Sequence, residues 1–360
     1  MPTVITRGAM TASGYGFGAA TSVYVEDVFS TSTYTGNSTT GGSQTITNNI
    51  NLSTKGGLVW IKDRSAAANH ILTDTTRGAG ASSTNNNALS SNLTTAEDLA
   101  GTAYDYLSAF TTTGFTVTQG GAITARQGTN YDASTYVSWV FRKQAKFFDI
   151  VTYTGNGANR TVSHNLKSVP GCIMIKRTDT TAAWAVYHRS LLNTQYLVLN
   201  TTANPATGAT YWNSTTPTSS VFSLGTSTDV NANAGTYVAY IFAHDAGGFG
   251  TFGTSNIISC GTFITNFSGV ATVTLGYQPQ WLLIKRTDGA ANSWRMFDSI
   301  RGLPIGASDK YLSADLPNIE TTTATNWIDT SSTGFSTGAN GLTTTQSNFI
   351  YIAIRTGPMK

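Results

Sequence analysis

The sequence predicts an all-β protein made of tandem antiparallel β-sandwich modules, jelly-roll-like or immunoglobulin-like, behind an extended N-terminal arm. Three observations lead there. First, an apolar phrase closed by charge recurs three times. It reads Leu58-Val59-Trp60-Ile61-Lys62-Asp63-Arg64, Cys172-Ile173-Met174-Ile175-Lys176-Arg177-Thr178-Asp179 and Trp281-Leu282-Leu283-Ile284-Lys285-Arg286-Thr287-Asp288. Its lysines lie 114 and 109 residues apart (62 to 176, 176 to 285), the length of a domain and not of a solenoid unit. Second, only 11% of the 360 residues are charged, so Thr, Ser, Asn and Gly supply most of the polarity. That mixture favours strands and turns over helices. Third, aromatic and β-branched residues recur in short blocks between turn signals, enough to bury a core and to exclude general disorder.

Taken in order, residues 1–50 read as an arm for attachment to a neighbour. Glycine-rich stretches there bracket one expected strand, Thr21–Val25. Module one is expected over 51–145, module two over 146–253 and module three over 254–360. Modules two and three open alike: Phe148–Tyr153 leads to Thr161–Leu166, and Ile257–Phe263 to Ala271–Leu275, each pair read as a hairpin. The repeated phrase follows, then a polar turn and a second strand, Trp184–His188 or Ser293–Phe297. Short strands come next at Tyr196–Leu199 and Lys310–Ser313. Each module closes on a strongly apolar strand: Tyr136–Phe141, Tyr237–Phe242 and Asn348–Ile354. The only stretch that tolerates a helix is Thr95–Leu99.

Composition also limits function. A net charge of +3 with no basic stripe gives no argument for nucleic acid. The densest basic run, Arg142-Lys143-Gln144-Ala145-Lys146, reads as a solvated linker. Two cysteines, Cys172 and Cys260, fall in apolar runs of different modules and read as free buried thiols. Met1–Arg7 lacks the apolar run of a signal peptide and no stretch approaches roughly 20 apolar residues, so a leader and membrane insertion are not expected.

Candidate chemistry is sparse. The histidines His70, His164, His188 and His244 have no second His or Cys at metal-ligand spacing, so no metal or cofactor is expected. His70 and His188 sit at roughly corresponding second-strand positions. His244-Asp245 reads as a strand-end pair. No Gly-x-Ser-x-Gly elbow or phosphate-cradling loop is present. Glycan hydrolysis would need paired carboxyls, for which Asp105, Asp149, Asp229, Asp298 and Asp329 are the candidates. The repeated Asp63, Asp179 and Asp288 are explained as turn residues beside Arg. Trp212 and Trp327 could stack on sugars, but they precede Phe222 and Phe335 as Tyr106 precedes Phe115, which favours core packing. The Lys176-Arg177 and Lys285-Arg286 pairs read as strand-end charges facing solvent. No catalytic residue is assigned, and ligand-binding residues are unknown.

One resemblance is visible in these residues. The pattern Val169-Pro170-Gly171 before the phrase, Trp184-Ala185-Val186-Tyr187-His188 after it and Tyr237–Phe242 at the close resembles repeats in virion structural proteins of tailed phages. Tail-fibre-like proteins of marine and cyanobacterial phages are the nearest in kind. Module two carries the likeness best and module three well. Module one departs, with Lys-Asp-Arg order and no Trp in its second strand. The resemblance implies a non-enzymatic virion protein assembled in a host cytoplasm, most simply a short tail fibre or adhesion subunit. Residues 1–50 would hold other tail or baseplate proteins, and a distal module would contact host glycan or protein. A homotrimer is the expected oligomer. A capsid decoration or head-fibre protein is the alternative, and a glycan-degrading tailspike a third.

Overall fold

The computed structural model describes residues 22–38, 41–97, 105–120 and 128–359, and nearly all of its regular structure is β. Each module is one large antiparallel sheet backed by a small one. In module two the large sheet runs from Phe148–Thr154 at one edge through the closing strand Thr236–Phe242, the repeated strand Cys172–Arg177 and the following strand Trp184–His188. It ends on Gln195–Val198 and Ala206–Thr207. Module three repeats that order with Ile258–Ile264, Asn348–Arg355, Pro279–Arg286, Arg295–Asp298, Lys310–Ser313 and Thr321–Thr322. Module one uses the first four positions: Phe29–Thr35, Thr135–Arg142, Gly57–Asp63 and Ile71–Asp74.

This corrects the reading of residues 1–50 as an arm over its described part; residues 1–21 of that expected arm lie outside the described residues. Phe29–Thr35 is the opening strand of module one, paired along its length with the closing strand, Phe29 opposite Phe141 and Thr35 opposite Thr135. Ser43–Thr47 belongs to that module's small sheet, beside Gly114–Thr118. The segment is poor in apolar residues because in these two strands only Phe29, Thr31 and Ile46 are buried, while the other threonines and serines are half-buried or exposed. The expected strand at Thr21–Val25 is not formed among the described residues. Val25–Asp27 is a single 3-10 turn whose Asp27 carboxylate accepts from the Tyr24 N–H.

The expected opening hairpins are also corrected. Phe148–Thr154 pairs with the closing strand, whereas Arg160–Ser163 pairs with Val221–Leu224 in the small sheet. The Gly155–Gly157 turn therefore carries the chain from one sheet to the other. The helix-tolerant stretch is described only to Glu97, which is in 3-10 conformation and whose N–H donates to Thr178 O of module two; residues 98 and 99 lie outside the described residues. The two short helices, Ala209–Trp212 and Thr228–Asn231, lie instead in module two's connections.

The repeated and closing strands are apolar at almost every position because both of their faces are buried. In module three Leu282, Ile284, Phe349, Tyr351 and Ala353 point into that module's own core. The alternate residues Trp281, Leu283, Ile350, Ile352 and Ile354 point the other way, into a core shared by all three modules. Module one divides identically: Val59, Ile61 and Val140 face its own core, and Leu58, Trp60, Trp139 and Phe141 face the shared one. At its centre Phe141 meets Trp281 at 5.5 Å, Phe242 at 5.6 Å and Phe148 at 5.6 Å between ring centroids. Aromatic groups from three modules thus converge on one point.

Candidate functional site

The strand registers fix which residues correspond. Leu58 lies opposite Asp74, Cys172 opposite His188 and Trp281 opposite Asp298. Asp74, His188 and Asp298 are therefore equivalent, and so are His70, Trp184 and Trp294 one strand-length earlier. His70 and His188, expected at matching positions, are not equivalent. Counted from the lysine, His70 and Trp184 match directly (62 to 70, 176 to 184), and Trp294 follows with one extra residue in module three's turn (285 to 294).

These positions lock each module to the next. Between modules one and two, the Trp184 indole N–H donates to Ser90 O (2.8 Å) and the Ala182 N–H to Thr94 O (2.9 Å). Lys176 Nζ donates to the same Thr94 carbonyl (3.2 Å). Between modules two and three, Trp294 donates to Val198 O (3.1 Å), Asn292 N–H to Thr202 O (3.1 Å) and Lys285 Nζ to Thr202 O (2.7 Å). Between modules three and one, His70 Nε2 donates to Ser313 O (2.9 Å) and Ala68 N–H to Pro317 O (3.0 Å). Each receiving pair is four residues apart: 90 and 94, 198 and 202, 313 and 317. The last junction joins the first module to the third, so the three close into a ring with pseudo-threefold symmetry.

The repeated lysines do not face solvent, which corrects that expectation; Lys176 and Lys285 belong to these locks, while Lys62 is held within its own module. Lys62, Lys176 and Lys285 are completely buried. Their ammonium groups are held by backbone carbonyls: Asp63 and Ala66 for Lys62, Thr94 and Arg177 for Lys176, Thr202 and Asn292 for Lys285. Burial pulls each pKa down to about 8. Arg177 and Arg286 do stay near the surface, paired to Asp179 (2.8 Å) and Asp288 (3.0 Å).

A second contact at each junction carries most of the ionic chemistry. Asp74 accepts from the Tyr240 hydroxyl of module two (2.9 Å) and pairs with Arg77 (2.6 Å), which also reaches Glu97 (2.7 Å). Asp298 accepts from the Trp139 indole of module one (3.0 Å) and pairs with Arg301 (2.6 Å), which reaches Glu320 (3.4 Å). Burial pushes the Glu320 carboxyl up, but hydrogen bonding from Arg64 and the charges of Arg301, Arg64 and Lys310 hold it below the usual range. The middle junction substitutes the whole set. His188, Leu191, Pro205 and Ile352 stand where the others carry Asp, Arg, Glu and an aromatic donor. With no donor on Ile352, His188 Nε2 donates instead to the Tyr351 carbonyl (3.2 Å). The repeated Asp-x-x-Arg-Gly at 74–78 and 298–302, outside the lysine phrase, is the signal in the sequence for this network.

Above two junctions the surface forms matching grooves. One, of about 430 Å³, lies between Arg77 and Glu97 on one side and Thr152, Thr178 and Thr236 on the other. The next, about 300 Å³, has Leu191 and Pro205 facing Thr262, Thr287 and Asn348. At the third junction Arg64 replaces Thr178 and Thr287 and spans to Glu320 with two bonds of 2.8 Å. A further concavity, about 560 Å³, is lined by Glu26, Asp27, Phe29, Asn48 and Gln280 where the two ends of the described chain meet. Glu26 there accepts from the Met359 N–H.

The remaining candidates are accounted for singly. Asp105 accepts from the Gly120 and Asn130 N–H groups, and burial raises it to about 6. Asp149 accepts from Asn165 N–H and pairs with Lys143 (3.4 Å), which ties part of the basic run to module two. Asp229 accepts from the Tyr211 hydroxyl, and Asp329 from Gly306 N–H and the Asn326 amide. These carboxylates brace turns and neighbouring strands. Trp212 is buried and donates to Gln195 O. Trp327 is half-buried, stacked on Tyr311 at 5.1 Å with Arg295 over both rings. Tyr106 is half-buried. Cys172 and Cys260 are free and buried as expected. His164 packs on Phe222, and His244 lies 3.4 Å from Asp245. Among the described residues no three His, Cys, Asp or Glu come together as a metal set, and no helix is long and apolar enough to cross a membrane.

A model of one family, described as a domain of unknown function (DUF7483), matches residues 25–358. The chain belongs to the DUF7483 family. The match begins at the first turn of module one and ends beside Glu26 again, so the DUF7483 unit is the closed three-module ring and not the single module. No curated protein matches the chain.

Proposed function

We propose that this DUF7483 protein is a non-enzymatic virion structural protein of a tailed phage, a short tail fibre or adhesion subunit. The observation that carries the reading is the ring itself. Buried charge, indole and imidazole groups are committed to holding modules together, while the Thr- and Asn-rich turns between strands are left outside. That division suits a rigid scaffold that displays variable loops. The likeness of the repeated phrase to virion repeats gives the biological setting. Residues 25–50 are part of module one, so attachment to tail or baseplate partners is assigned to the residues before 22. The outer turns of a distal module would meet host glycan or protein. One copy already closes its own threefold core, so a homotrimer would form through outer faces.

Pseudo-threefold symmetry also favours a second reading, a decoration protein seated on a threefold position of a capsid. Immunogold labelling of particles separates the two: gold at the tail supports the first, gold on the head the second, and unlabelled particles refute both. Removal of residues 1–21 is expected to abolish incorporation while the purified protein keeps its fold; undiminished incorporation would refute the attachment role.

A further inference from the structure

Both junctions that hold module three depend on a histidine locked in its neutral form, and the junction between modules one and two does not. At His70 the Trp60 indole N–H donates to Nδ1 (2.8 Å), while Nε2 faces the Ser313 carbonyl (2.9 Å). An indole N–H can only donate and a carbonyl can only accept, so Nδ1 is bare and Nε2 carries the proton. At His188 the Ser190 N–H donates to Nδ1 (3.2 Å), and Nε2 faces the Tyr351 carbonyl (3.2 Å). The same single tautomer is imposed. Protonating either ring puts a hydrogen where another N–H already points, so the charged form loses a bond and sets two donors against each other. The equivalent positions at the first junction are Trp184 and Asp74. Trp184 does not titrate, and Asp74 is held by Arg77 and Tyr240.

From this asymmetry we infer that the ring is built to open in acid on one side, releasing module three from modules one and two while those two stay docked. Backbone carbonyls of Ser313 and Leu316 at His70 and of Tyr351 at His188 favour a charged ring, but burial outweighs them. The charges acting on His70 are Lys62 and Arg301; those on His188 are Arg189 and His244. All four are basic. Burial accordingly pulls His70 well down and His188 to about 4. Unfolded or undocked, each would titrate near 6.5, so as pH falls below that the open state binds more protons, down to about 4 for His188. Stability of these two junctions is therefore complete above the ordinary histidine pKa and is lost as pH falls through that window. Module three can leave intact because Phe263, Leu282, Phe297 and Phe335 give it a separate core.

The equivalent junction amides report on this directly. Ala182, Asn292 and Ala68 each donate one backbone bond across a different junction. Amide exchange followed by NMR on the full chain at pH 7.5 and pH 5, corrected for intrinsic rates, should show protection falling at least tenfold at Asn292 and Ala68 and holding at Ala182. In H70Q/H188Q, where the amide nitrogen can still donate to the carbonyl without titrating, that loss should disappear. H188Q alone should preserve Asn292 and leave Ala68 acid-sensitive. Equal loss at all three amides in the wild type, or no loss, would overturn the inference without any variant. Persistence of the loss in a folded H70Q/H188Q protein would overturn it as well.

Discussion

At the scale of single residues, the chain distinguishes charges that hold the ring from charges that merely end strands. Asp179 and Asp288 belong to the repeated phrase and draw the eye, but their arginine partners lie at the surface, where an ion pair contributes only about 0–1 kcal/mol. Asp298 lies outside the phrase. It is wholly buried, and it satisfies both Arg301 and the Trp139 indole. Removing it strands a buried cation and a buried N–H, which costs about 3–5 kcal/mol. Chemical denaturation should therefore show Asp298→Ala destabilised by that amount and Asp179→Ala by less than about 1 kcal/mol. Similar losses in the two variants would contradict the assignment of Asp298 to the lock. The middle junction makes the same point by exception. Where the aromatic donor is replaced by Ile352, the aspartate is replaced by His188, the arginine by Leu191 and the glutamate by Pro205. Four positions in one chain change together, as expected of groups that satisfy one another.

At the scale of elements, period-two alternation was plain in the opening strands and invisible in the repeated and closing ones. Phe148–Thr154 alternates toward its end because one face meets solvent. Gly57–Asp63 does not alternate, since its second face meets the other modules. Strand positions were therefore legible from apolar blocks and turn residues. Their partners were not, because an unbroken apolar run carries no mark of which sheet lies on which side. The same ambiguity made the Phe148–Thr154 and Arg160–Ser163 pair look like a hairpin. Close packing in the small sheets follows from glycine: a Cβ at Gly114 or Gly334 would drive into the backbone oxygen of Ile46 or Val273. Burial on two faces has a dynamic consequence. At neutral pH, amides in Thr236–Phe242 and Asn348–Arg355 should exchange slower than those in the exposed edge strands Ala206–Thr207 and Thr321–Thr322 by roughly a hundredfold or more. Comparable rates would mean that the shared core does not protect the closing strands.

At the scale of the whole molecule, duplication was legible and closure was not. The lysine phrase revealed three modules at once. That the third returns to the first depends on contacts between residues some 250 positions apart, such as Arg64 with Glu320 and Ala68 with Pro317. No local pattern records such a contact. The phrase that marked the modules marks two of their junctions as well, since Lys176 and Lys285 each donate to a carbonyl of the neighbouring module. Closure also gives the module count a reason: three sheets each turn one apolar face inward, and the ring buries all three faces with none left over. The measurement that tests closure most directly is a cross-link between the first and last modules. With Cys172→Ala and Cys260→Ala removing the native thiols, Ala68→Cys and Pro317→Cys should form a disulfide within one chain under mild oxidation, identified by mass spectrometry of the joined peptides at monomer mass. Failure to join, or joining only between chains, would contradict the closed ring.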